Sequence, residues 1–111
     1  MQQSIYKFPL EVTDVQTVDV ENFKYIVGLE VQREIPVLYC MIDPIKHNTT
    51  KLTIHCVGTG HPAGRIDDDF QFLGTAKLSG GGLMFHFFLD NRWIKEVTES
   101  RMTTAHFETS D

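Results

Sequence analysis

Apolar and polar residues alternate with a period of two along most of the chain, in runs rich in β-branched and aromatic residues separated by Gly, Pro, Asp and Asn. That period puts successive side chains on opposite faces of an extended backbone, so it predicts a series of short strands. The first run is SIYKFPLEV, Ser4 to Val12; Pro9 cannot donate to a ladder, which predicts an edge strand or a break at that point. TVDVE, Thr17 to Glu21, predicts a short second strand closed by the Glu21-Asn22 turn signal. FKYIVGLEVQRE and IPVLYCMID predict a hairpin with its connection near Arg33 to Pro36, and Gly28 marks a bulge or a close backbone approach. KLTIHCVG predicts the next strand, followed by an open loop from Thr59 to Asp69. FQFLGTAKL and LMFHFFLD predict a final pair joined by Ser79-Gly80-Gly81-Gly82, whose glycines permit the positive φ values of a tight connection.

After Asp90 the pattern changes. Trp93, Ile94 and Val97 fall at near-helical spacing in a polar context, which predicts one short amphipathic helix beginning near Arg92 and then a loose tail. The expectation is a mostly β fold, all-β or α+β: a single domain over residues 4–90, built as a small sandwich or open barrel of about six strands, with the helix and tail over 91–111.

Length and charge narrow the class of function. A chain of 111 residues makes one domain with a modest core, and a net charge of −5 offers none of the basic stripe that long nucleic acid requires. A small anionic ligand stays open, because a few local cations and backbone N–H groups can hold a phosphate within an acidic protein. Cys40 and Cys56 each lie inside an apolar run and read as buried free thiols. No charged-then-apolar leader opens the sequence, and no apolar run approaches the ~18 residues of a membrane helix, so the expected setting is intracellular, without a membrane partner.

The stretch VGTGHPAGR, Val57 to Arg65, carries two readings. In one, Gly58 and Gly60 turn backbone N–H groups outward into an anion-binding nest, with Thr59, His61 and Arg65 adding donors. In the other, the glycines and Pro62 shape a turn and Asp67-Asp68-Asp69 solvate it. A phosphate loop of the Lys-Ser/Thr type is excluded. The five histidines show no metal-ligand spacing, and neither cysteine has a Cys-x2-Cys partner, so no metal or cofactor is expected. His55 and His86 read either as partly buried imidazoles bonded to polar neighbours or as two groups facing one another across a pocket floor. No nucleophile elbow is present, which leaves no catalytic residue to name. Phe85 and Phe87 share one side of a strand and Phe88 takes the other. Two apolar faces on one strand imply a sandwiched central strand or a surface covered by a second subunit, and the second reading makes these residues an oligomer interface.

The segments IYKFPLEVTDVQTVDV, PVLYCMIDP, VGTGHP and FLGTAKLSGGGLMFHFF together resemble a family of short proteins of tailed bacteriophages and prophages. Ile5 to Leu10 fit its opening, Gly58 to Pro62 its loop, and Gly81, Gly82, Phe85 and His86 its close; the resemblance covers about residues 5–88. It implies an accessory phage protein acting in the bacterial host cytoplasm. Looser analogy with phage anti-defence sponges of the Sequestin and Thoeris anti-defence type implies a non-enzymatic protein that sequesters a small nucleotide-derived immune signal. On that reading Thr59, Gly60, His61 and Arg65 hold phosphate and Trp93 stacks on a base. A module that blocks a host protein or serves as a phage structural accessory, and a small hydrolase, are the alternatives.

Overall fold

A computed structural model describes residues 2–92 of the chain. It is mostly β, with seven strands among the described residues: β1 (Ser4–Pro9), β2 (Val15–Glu21), β3 (Phe23–Gln32), β4 (Ile35–Ile42), β5 (Thr49–Gly58), β6 (Phe70–Leu78) and β7 (Leu83–Asp90). The expected helix and tail, Trp93 included, lie outside the described residues.

The strands form two antiparallel sheets, one of three strands in the order β1-β4-β3 and one of four in the order β2-β5-β7-β6. The inner faces meet in one core of Leu10, Val20, Leu38, Cys40, Ile42, Leu52, Ile54, Cys56, Ala76, Phe87 and Leu89. These residues alternate along their strands, as a two-layer sandwich with one covered face per sheet demands. Burial pushes the Cys40 and Cys56 thiols up to about 11, so both are protonated, unreactive members of the core.

The β3–β4 hairpin turns on Arg33 and Glu34, both left-handed at φ 53° and 66°, and β3 bulges between Ile26 and Gly28. Both positive φ values suit the type I′ geometry of a two-residue hairpin. The Glu34 carboxylate accepts the Ser79 N–H at 2.8 Å and so ties this hairpin to the glycine-rich β6–β7 connection. The chain changes sheet three times, over residues 10–14, at Asn22 and over residues 43–48, and the Asp43 N–H donates to the Asn22 carbonyl at 2.8 Å, which pins the last two crossings together.

Strand β7 lies inside its sheet between β5 and β6, which corrects the expected oligomer surface. Phe87 is 0% exposed and belongs to the core, and Phe85, partly buried, packs against that core, so the side these two share faces the other sheet. Phe88 alone of the three points outward. Strand position, not a second subunit, covers the inner apolar face.

Candidate functional site

The outer face of the four-stranded sheet gathers most of the chemistry-bearing side chains. Register sets the arrangement: His55 of β5 lies opposite Phe88 of β7 and opposite Val15 of β2, while His86 lies opposite Val57 and Thr75. His55 and His86 therefore share one face as diagonal neighbours, about 7–8 Å apart at the backbone.

Both ring nitrogens of His86 are engaged. Thr59 Oγ1 lies 2.7 Å from Nε2 and Thr75 Oγ1 lies 2.9 Å from Nδ1. An imidazole held at both ends in this way is fixed in rotation, with one hydroxyl donating and the other accepting in the neutral ring. One cross-strand row away, the Phe72 and Phe88 rings meet at 5.4 Å with a tilt of 56°. Phe72 is 57% exposed, so the pair forms an open aromatic surface.

The other flank is a charged cluster around His55. Arg65 Nε donates to His55 Nδ1 at 3.2 Å, and its Nη2 donates to the Cys56 carbonyl at 2.8 Å and, more weakly, to the Asp14 carbonyl at 3.4 Å. Accepting at Nδ1 places the His55 proton on Nε2. Burial, followed by the Arg65 charge, lowers the His55 pKa, and the opposing pull of Asp90, with Oδ2 3.9 Å from Nε2, is smaller. The ring also meets Phe70 edge to face at 4.9 Å. Arg92 grips Asp90 through Nε at 3.0 Å and Nη2 at 2.8 Å and lies 5.0 Å over the Phe70 ring. These hydrogen bonds hold the Asp90 carboxyl below its usual range.

The Val57–Arg65 stretch is a turn in its backbone. The His61 N–H donates to the Gly58 carbonyl at 3.1 Å with Gly60 at φ +88°, which is the type II arrangement that places glycine third. The Thr59 N–H donates to the Met84 carbonyl at 3.1 Å. Two of the N–H groups that a nest needs are thus committed within the fold, and the outward-turned nest of Gly58–His61 is corrected to a corner. Its side chains still matter: Thr59 reaches His86, while the exposed His61 ring lies back over Gly58, with Nδ1 3.2 Å from where a Cβ would stand. Arg65 does not join Thr59, Gly60 and His61; it reaches back along β5 to His55.

The sequence shows Phe70 and Phe72 as part of an aromatic cluster in the last strand pair but does not mark them, or Thr75, Asp90 and Arg92, as site residues. Thr75 becomes visible only through its register with His86. A depression of about 160 Å³ lies at the far end of β2 and β5 between Glu21, Asn22, His47, Asn48 and Thr49, away from this cluster. Among the described residues no three of His, Cys, Asp and Glu converge as a metal site, and no helix is long and apolar enough to cross a membrane.

Fold and surface together define a two-sheet β-sandwich bearing an aromatic and polar patch on one outer face. Residues 1–96 match a family described as a domain of unknown function, DUF7352, and the chain belongs to it. No curated protein and no solved structure matches the chain.

Proposed function

We propose that this protein is a non-catalytic binding module that holds a small anionic, base-bearing ligand on the outer face of the four-stranded sheet. The phage resemblance extends the proposal to its setting: an accessory protein that sequesters a nucleotide-derived immune signal in the bacterial host cytoplasm. The observation that carries the reading is the exposed Phe72 ring set against Phe88 beside the doubly held His86. An open aromatic surface stacks any base, and the Thr59, Thr75 and His86 edge lies about 7 Å further along β7, a spacing that suits a phosphate on the same nucleotide. Arg65, held beside His55, adds a fixed positive charge on the same face.

Equilibrium binding to a panel of cyclic dinucleotides, cyclic trinucleotides and cyclic ADP-ribose isomers tests the proposal. Phe72→Ala removes a stacking surface worth ~1–3 kcal/mol, so affinity for any ligand bound by the wild type should fall about tenfold or more. Unchanged affinity in both Phe72→Ala and His86→Ala would move the site off this face.

A further inference from the structure

We infer that the open edge of β1 is a homodimer interface, at which a second copy of this chain pairs antiparallel about a twofold axis through Tyr6. The Leu10 N–H donates to the Pro36 carbonyl at 2.8 Å, and the β1–β4 register continues that pairing through Pro9 opposite Val37 and Phe8 opposite Leu38. Antiparallel ladders alternate, so Phe8, Tyr6 and Ser4 turn their backbone groups toward β4, while Ile5, Lys7 and Pro9 turn theirs to the open edge. Pro9 therefore lacks its N–H at a position where β4 never needed one. Among the described residues no strand pairs with that edge.

Of the usual defences against association, Pro9 guards only the last position of the edge. Lysine on an edge strand ordinarily repels an incoming strand, but Lys7 Nζ is drawn back across its own sheet to Gln32 Oε1 at 3.0 Å. Just before it, Ile5 is 54% and Tyr6 57% exposed, so β1 offers apolar side chains on both faces. Tyr6 belongs to the inward-facing set of its sheet, opposite buried Cys40, and its exposure means that the four-stranded sheet does not reach under this edge.

Self-pairing satisfies these groups together. With Tyr6 on the twofold, Ile5 lies opposite the partner's Lys7 and Lys7 opposite the partner's Ile5, so the outward N–H and C=O groups of both residues exchange bonds in both directions. Tyr6 then meets the partner's Tyr6 as a non-hydrogen-bonded pair, the closer of the two cross-strand arrangements and a favourable one for aromatic rings. The three-stranded sheet becomes a continuous six-stranded sheet across the dimer.

Light scattering together with amide hydrogen exchange at increasing protein concentration tests the inference. The expected result is a dimer at micromolar concentration, with protection of the Ile5 and Lys7 amides that grows with concentration. Tyr6→Lys and Tyr6→Glu should each weaken self-association about tenfold or more, and mixing the two should restore a dimer, because opposite charges then meet on the twofold. Ile5→Pro removes only an outward N–H and should give a folded monomer. A wild type that stays monomeric, a dimer whose protection falls on another edge, protection of Ile5 and Lys7 independent of concentration, or a mixture that stays monomeric would each overturn it.

Discussion

His55 is the residue at which burial and charge act most plainly on stability. Its neutral ring accepts from Arg65, and burial together with the Arg65 charge makes the folded imidazole harder to protonate than the unfolded one, which takes up a proton near its ordinary value of 6.5. The unfolded state thus binds more protons between the depressed folded value and 6.5, so this stabilisation is fully present above 6.5 and is lost as pH falls through that window. Urea midpoints measured near neutral pH and at about pH 5 should therefore differ, and His55→Asn, which keeps an acceptor near Nδ1 without the titration, should shrink the difference. Equal pH dependence in both proteins would contradict this. Arg65 acts as a strut as much as a surface cation. Arg65→Lys keeps the charge but lacks the planar fork that serves His55 and the two carbonyls at once, so it should cost ~1–2 kcal/mol in denaturant unfolding.

Among the elements, β6 shows how a single position sets the contact between sheets. The register shifts between Phe72 and Gly74, leaving Gly74 at φ +155° with Leu29 of β3 directly above it. A Cβ there would stand 3.2 Å from the Leu29 Cβ, so Gly74→Ala should cost about 2 kcal/mol or more, whereas Gly28→Ala, which meets nothing within 4 Å, should be close to neutral in the same measurement. The strands themselves were legible in the sequence, since period two, Pro9 and the glycine connection are all local signals. So were the β3–β4 and β6–β7 hairpins. The pairing of β5 with β7 and of β2 with β5 was not, because such non-local partners are chosen by the packing of whole sheets. That gap explains the misplaced interface: alternation correctly opposed Phe87 to Phe88, but which side the other sheet covers is set by β7's place between β5 and β6. It also explains why Thr59 and His86 were each visible as polar residues while their bond to one another, and the hold of Thr75 on the same ring, were not, and why Arg65 was read with its sequence neighbours when its guanidinium folds back to β5.

Across the whole molecule, the two sheets divide the proposed roles. The four-stranded sheet presents Phe72, Phe88, Thr59, Thr75 and His86 on its outer face, while the three-stranded sheet ends in the open edge of β1. The two surfaces lie on different sheets, so Tyr6→Lys should leave ligand affinity intact and Phe72→Ala should leave self-association intact; ultracentrifugation and binding on the same two variants check that independence. The central claim is that the outer face retains a nucleotide-derived ligand without turning it over. The most direct measurement is to incubate the protein with the panel of cyclic nucleotides and cyclic ADP-ribose isomers, remove unbound ligand, denature the protein and identify what is released. Intact ligand from the wild type, with much less from Phe72→Ala, is the expected result. A wild type that releases nothing from any member of the panel, or that releases a converted product, would contradict it.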